Sequence, residues 1–434
     1  MFGYFWATSL FAGLLIIFRV DGFQHECQAD SQPWDTELLG IIVICHKRTR
    51  LLRDTIQSLL SVRGVRLSQI VAIQDGSDGL VKAIIRDEFG VALLQNVNNY
   101  EDDFHGKPRD LGSMRIARHY KFALDQGFKH FGLARGLIIV EDDMLFSPDF
   151  LEYFLYACPL LELDSSLWTA SAWNDNGFQG FVHDRHALLR TDHFPGLGWV
   201  MLRKLWENEF REKWPEEHWD WFLRDPVAVG SRDSLYPSVS RVFHTGTSGT
   251  YMNEKLHEQY YQHILHNKDD GFRWSPQDFS DMVETRYEGR IVRDLLYRCK
   301  HVQNGRQLSV NFNIDLKFFL RGSCFVVWHR SNPDPRFAVK FRPLAKRFGL
   351  WHQIRRGARL GVHWTFYPPL GVDILFVNLF NPSRKRKAWP RRKKPVWAEG
   401  FRSQTKWAWL HPPDIRVFHD GRDLVSEIIE SDYY

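Results

Sequence analysis

With 434 residues, 44% hydrophobic and 25% charged, the chain can form two domains and a large buried core, which excludes a mostly disordered or low-complexity protein. The formal net charge of +5 is local: residues 384–394 (RKRKAWPRRKK) hold eight positive charges, and without them the remainder carries −3. A chain-wide basic surface is therefore excluded, and the run itself, broken by Pro390 with one aromatic inside it, reads as a solvated segment with no nucleic-acid partner.

Residues 2–18 (FGYFWATSLFAGLLIIF) contain no charge and are followed by Arg19. The length suits a signal-anchor or signal peptide over 1–22, and Gly22 makes a poor cleavage site, which favours the membrane anchor. A short polar stem over 23–36 follows. From there apolar runs of strand type alternate with helical spacing. LLGIIVI at 38–44 predicts a strand, and Leu52, Ile56, Leu59 and Leu60 then share one helical face. QIVAIQD at 69–75 predicts a second strand, followed by a helix through Val81, Ile84 and Ile85 that Gly90 ends. VALLQ at 91–95 is a third strand, residues 115–124 a helix, and LIIV at 137–140 a fourth strand. The alternation predicts an α/β fold with a mostly parallel sheet covered by helices on both faces, which binds ligands beyond the carboxyl ends of its strands.

Glu141, Asp142 and Asp143 stand at such an end. Buried unpaired carboxylates are costly, so a cation is expected beside them. The same three letters recur at Glu101, Asp102 and Asp103, but there Gly106 and Pro108 follow and no apolar strand precedes, so a solvated loop is expected. At 141–143 the hard cations Mg²⁺ or Mn²⁺ fit, because they need only one or two carboxylates when a substrate supplies phosphate oxygens. Asp75 closes the neighbouring strand. Neither a Gly-X-Gly-X-X-Gly nor a Walker sequence is present. Further on, Trp and Gly become dense in 166–178 (SLWTASAWNDNGF), 194–206 (FPGLGWVMLRKLW) and 213–226 (KWPEEHWDWFLRDP), where aromatic faces beside Asn and Asp suit either a sugar site or plain core.

Cys27, Cys45, Cys158, Cys299 and Cys324 allow at most two disulfides, and none are spaced as a zinc site. His257, His263 and His266 do not make His-Glu-X-X-His, since Tyr261 stands four places after His257.

The acidic triplet, SAWNDNG, RTDHFPGLGW, KWPEEHWDW and PSVSR, in this order, resemble glycosyltransferase family 13, over about residues 38–381. The resemblance implies a GT-A-like nucleotide-sugar-binding domain with a smaller C-terminal domain. It implies an inverting β-1,2-N-acetylglucosaminyltransferase that moves GlcNAc from UDP-GlcNAc to O2 of a mannose on a glycoprotein, with Mn²⁺ as cofactor. Position by position it makes Asp143 the metal ligand, Asp142 a donor-binding acid and Glu141 a contact of the sugar. Arg48, Asp75 and His119 would grip the nucleotide, and Asp220 would be the catalytic base. The position matching a donor-contacting serine holds Tyr251, and Trp221 replaces a second acid found beside the base in some members. The expected domains are a catalytic domain over 37–250, a linker over 251–285, a second domain over 286–381 and a basic tail over 382–434. The implied location is the Golgi membrane, with the catalytic domain in the lumen. Three alternatives stay open: transfer to protein O-linked mannose, a sugar-nucleotide phosphotransferase, and a catalytically silent glycan-binding relative.

Overall fold

The computed structural model describes residues 34–97, 110–302 and 324–329, with further pieces between 345 and 378. The N-terminal apolar run, the second acidic triplet and the basic run at 384–394 lie outside the described residues. Among the described residues no helix is long and apolar enough to cross a membrane.

Strands β1 (Leu39–Cys45), β2 (Ile70–Asp75), β3 (Ala92–Asn96) and β4 (Gly136–Glu141) are parallel, in the spatial order β3-β2-β1-β4. β1 is buried along its whole length, which accounts for its unbroken apolar run. Helix α1 (Thr49–Leu60) follows β1 and buries Leu52, Ile56 and Leu59, while Leu60, expected on the same face, stays partly exposed. The helix expected through Val81, Ile84 and Ile85 forms as a short α-turn, Gly79–Lys82, running into a π-turn, Ala83–Glu88. Helix α2 (Leu111–His130) is twice as long as the pattern at 115–124 suggests: Asp110 caps its start by accepting from the Ser113 backbone, and the helix runs on to His130, burying Gly127 and Phe128. Its Gly127 lets the helix lie close on the sheet: a Cβ there would stand 2.8 Å from Ile42 and 2.9 Å from Leu137.

Next along the chain come β5 (Met144–Phe146), α3 (Phe150–Leu163), β6 (Leu167–Ala170), β7 (Leu188–Thr191), β8 (Trp199–Leu202), α4 (Trp219–Arg224), β9 (Asp233–Pro237) and β10 (Val242–His244). β8 joins the main sheet antiparallel to β4, β5 pairs with β10, and β6-β9-β7 make a small third sheet. The Trp-rich segments form much of the core around α2 and β8, with Trp168, Trp199, Trp206 and Trp214 packed against Tyr120, Leu124 and Phe128.

Residues 251–285, expected as a linker, are folded instead onto what precedes them. They carry the short helices Glu254–Gln259, Tyr261–His263 and Pro276–Ser280 and bury Tyr260, Tyr261, Phe272, Trp274 and Phe279. The cause is aromatic area: Tyr261 stacks on Trp173, and Trp274 packs beside Tyr153 of α3. A fourth sheet follows, β11 (Cys299–Val302), β12 (Cys324–His329), β13 (Val362–Tyr367) and β14 (Val372–Asn378), in the order β11-β12-β14-β13. Cys299 and Cys324 form a disulfide across its first pair, while Cys45 and Cys158 are buried free thiols. Cys27 lies outside the described residues.

Candidate active site

The chain leaves β4 at Glu141 and turns at once into β5, so the three acids sit at the carboxyl edge of the central sheet. Asp142 and Asp143 have side chains only 2% and 3% exposed, and the cation that such burial demands is Arg48. It stands immediately ahead of α1 and pairs with both carboxylates, with Nη1 at 2.6 Å from Asp143 Oδ2. Burial still pushes the Asp142 carboxyl up to about 6, against the pull of Arg48 and helped by the neighbouring Asp143 charge. Glu141 is pushed up to about 7, again by burial first and by Asp143 second, although Tyr120 of α2 donates a 2.5 Å hydrogen bond to it.

The loop after β10 closes around Asp143. The Thr245 backbone N–H and hydroxyl donate to its carbonyl at 2.8 and 2.9 Å, and His244 Nε2 lies 3.4 Å from its carboxylate. Gly246 is required there, since a Cβ would stand 2.3 Å from Asp143 Oδ2. Asp143 Oδ1 is buried with no hydrogen-bond partner among the described residues. A buried carboxylate oxygen without a partner, beside a second acid, is a donor set that fits a hard divalent cation. Among the described residues no group of three or more His, Cys, Asp and Glu is arranged to hold a metal by itself.

At the end of β2, Asp75 accepts a 2.7 Å contact on its carbonyl from His46 Nδ1, and its carboxylate lies 3.9 Å from His119 Nδ1. His119 is itself buried, 3% exposed, with Nε2 at 3.2 Å from the Ile73 carbonyl and Nδ1 at 3.3 Å from Asn96. Burial lowers its affinity for a proton, so its ring joins the strand ends as a neutral hydrogen-bonding group. The structure thus gathers Arg48, Glu141, Asp142 and Asp143 into one cluster and links Asp75 with His119 in a second, along the same edge.

Asp220 stands apart, in the first turn of α4. Its helix is aimed by His218, a non-glycine residue at φ 52°, whose backbone N–H and Nδ1 both meet the Ser113 hydroxyl, at 2.7 and 3.0 Å. A left-handed residue costs energy and persists where its surroundings fix it, as Ser113 does here. Asp220 is 28% exposed and pairs with Arg224 one turn on. Trp221 beside it is 51% exposed, and Tyr251 is 55% exposed with its hydroxyl on Asp110 at 2.8 Å.

Tyr120 joins the two carboxylate groups. Its hydroxyl holds Glu141 while its ring stacks on Trp219 at 3.9 Å, next to Asp220. Sequence reasoning passed over Tyr120, although it directly follows His119. Arg224 was also missed, and its place four residues after Asp220 was a legible signal. Asp175, in SAWNDNG, pairs at 2.6 Å with Arg356, a contact across 181 positions for which the sequence holds no local sign.

The GNT-I family profile matches residues 19–358 of the chain. An Arabidopsis thaliana protein, alpha-1,3-mannosyl-glycoprotein 2-beta-N-acetylglucosaminyltransferase, is 34% identical over 318 residues, covering 70% of this chain and 70% of that protein. Among solved structures, the mannosyltransferase PcManGT from Pyrobaculum calidifontis in complex with GDP-Man and Mn²⁺ superposes with a TM-score of 0.30 at 14% identity, over 49% of this chain and 61% of its own. S. aureus TarS 1–349 in complex with UDP-GlcNAc gives 0.33 at 13% identity, over 63% of this chain and 76% of its own. Superpositions this weak carry no weight for the activity. The profile match over most of the chain does, and with the Arabidopsis relative it shows that the chain belongs to the GNT-I family.

Proposed function

We propose that this chain is an inverting β-1,2-N-acetylglucosaminyltransferase that moves GlcNAc from UDP-GlcNAc to O2 of a mannose on an N-glycan core. The observation that carries the reading is the division of labour between two sets of carboxylates in a GNT-I family chain: a buried pair at a strand end and a partly exposed Asp220 on a separate helix. The buried set suits a charged donor and the exposed one an incoming hydroxyl. Mn²⁺ held by Asp143 would supply Lewis-acid neutralisation of the charge that develops on the departing UDP. Arg48, a third exposed, is available to the donor diphosphate from the same edge, and Asp75 and His119 shape the nucleotide end of that edge.

The mannose hydroxyl is a poor nucleophile, and Asp220 takes its proton as the new bond forms. Attack opposite the leaving group turns the α-linked donor into a β product. One carboxylate base suffices, because no covalent intermediate has to be formed by a second acid at the anomeric carbon. We further place the catalytic domain in the Golgi lumen behind an N-terminal membrane anchor, a reading supported by the charge-free run at 2–18. Protease treatment of sealed microsomes should leave the domain intact until detergent is added, and digestion without detergent rules the location out.

The deciding assay offers UDP-GlcNAc with a mannose-terminated N-glycan and with an O-mannosyl peptide side by side. Transfer to the N-glycan is expected. Transfer to the O-mannosyl peptide alone would establish the second reading, which Tyr251 at the serine-matching position favours. Donor binding without transfer to either would mark a silent glycan-binding relative.

A further inference from the structure

We propose that Arg224 is a positioning residue for the acceptor-side base: it fixes one carboxylate oxygen of Asp220, leaving the other for the incoming hydroxyl. The proposal rests on the reading of Asp220 as the base. Both residues lie on α4, one turn apart, and the Arg224 guanidinium meets Asp220 Oδ2 through Nη1. Its Nε donates to the Phe194 carbonyl at 3.2 Å, so the guanidinium is held from the far side and does not swing with solvent. Asp220 Oδ1 takes no hydrogen-bond partner among the described residues.

The charge of Arg224 is free to serve Asp220 because a second cation nearby is cancelled. Arg356 acts on Arg224 from the segment that precedes β13, and Asp175 pairs with Arg356 at 2.6 Å. Asp175 is itself fixed by a 3.1 Å hydrogen bond from Trp173 Nε1. Asp220, Arg224, Asp175 and Arg356 therefore form a neutral set of two anions and two cations. The segment around Arg356 is pinned to the catalytic part: Asn176 accepts from the Trp351 N–H at 2.8 Å and donates to the Arg356 carbonyl at 3.0 Å. Trp351 lies under the Arg356 guanidinium, at 4.2 Å, and against Tyr261.

The other titratable groups facing Asp220 are Tyr120 from α2, Tyr251 from the loop after β10, and His218 just ahead of it in the chain. Both tyrosines stay neutral in the working range. Burial and then the Glu141 charge hold Tyr120 well above the usual tyrosine value, and Tyr251 is raised to about 12 by burial first. His218 has its ring nitrogen tied to Ser113 at 3.0 Å. Arg224 is the permanent cation paired with this carboxylate.

The test is the pH dependence of kcat/KM in three variants, with UDP-GlcNAc binding in Mn²⁺ followed in parallel. Arg224→Met keeps the bulk and removes the charge. The acid limb should move up by about one pH unit and the plateau rate fall about tenfold, with donor affinity within about twofold of wild type. Arg224→Lys should return the acid limb toward wild type while recovering only part of the rate, because the planar fork is lost. Asp175→Asn leaves Arg356 uncancelled and should move the acid limb down, opposite to Arg224→Met. A purely structural role would not produce shifts of opposite sign. If Arg224→Met does not fold, the Asp175→Asn profile decides. An acid limb unmoved in the folded variants overturns the proposal. Wild-type turnover in Asp220→Asn would instead remove the base assignment itself, so the two failures are distinguishable.

Discussion

The two carboxylate sites of this molecule solve the same electrostatic problem at different depths. Asp142 and Asp143 are almost fully buried at the end of β4 and share one cation, Arg48, whereas Asp220 is 28% exposed on a short helix and has Arg224 to itself. Burial first, and then the neighbouring Asp143 charge, push Asp142 up to about 6 against the pull of Arg48, and two buried anions with a single cation leave an excess negative charge. Such a site is incomplete without further positive charge. The Asp220 site is balanced by Arg224 and stays open to solvent. The difference teaches that depth separates the two carboxylate sets: the deep pair is short of positive charge, while the shallow acid is paired one to one and reachable from solvent.

Removing Asp143 should have the largest effect. Asp143→Ala is expected to abolish Mn²⁺-dependent binding of UDP-GlcNAc, and calorimetric titration showing unchanged affinity would take the metal role away from it. Asp220→Asn keeps the shape and deletes the proton acceptor. It should bind donor and Mn²⁺ normally while single-turnover transfer falls by about 10² to 10⁴. Transfer within a few fold of wild type would collapse the contrast between the two sites.

Arg48→Met attacks the shared cation. It strands two buried carboxylates and should destabilise the metal-free protein by about 2 kcal/mol at pH 7.5, less than for a fully buried pair because Arg48 is a third exposed. The sign follows from Asp142, whose carboxyl lies above the usual aspartate range in the folded state. A raised acid binds protons more tightly folded than unfolded, so its ionisation costs stability as pH rises from the unfolded value through about 6. Without Arg48 that cost grows. Urea denaturation should therefore show a larger gap between variant and wild type at pH 7.5 than at pH 5, and an equal gap would refute the account.

The smallest change is Gly246→Ala, which adds only a methyl group 2.3 Å from Asp143 Oδ2. Asp143 or the loop must shift, and Mn²⁺ affinity should fall about tenfold or more, the range seen when groups that orient a metal ligand are disturbed. The Asp220 pH profile should not move. A parallel change in both would mean that the two sites are not separate.

Much of the central sheet was legible in the sequence. The apolar runs at 38–44, 69–75, 91–95 and 137–140 are β1 to β4 within a residue or two, because β1, β2 and β4, buried on both faces, need continuous hydrophobicity, while β3 lies at the sheet edge with Ala92 exposed. The second half was less legible. Aromatic residues from 251–285 have no clear period, and only their packing on Trp173 and Tyr153 shows that they belong to the core.

By itself the sequence determined the acids at a strand end, the need for a cation beside them, and the motifs that place Asp143 and Asp220 in one family pattern. These are properties of local runs, and local runs are written in order along the chain. Tertiary structure alone decided which cation answers the acids, since Arg48 lies 95 positions before Asp143 and arrives there only because β1 and β4 are adjacent parallel strands. It also decided that Tyr120 joins the two sites and that Arg356 meets Asp175 across 181 positions. Charge pairing acts through space over a few ångströms, and its partners are set by the fold, not by the spacing of letters.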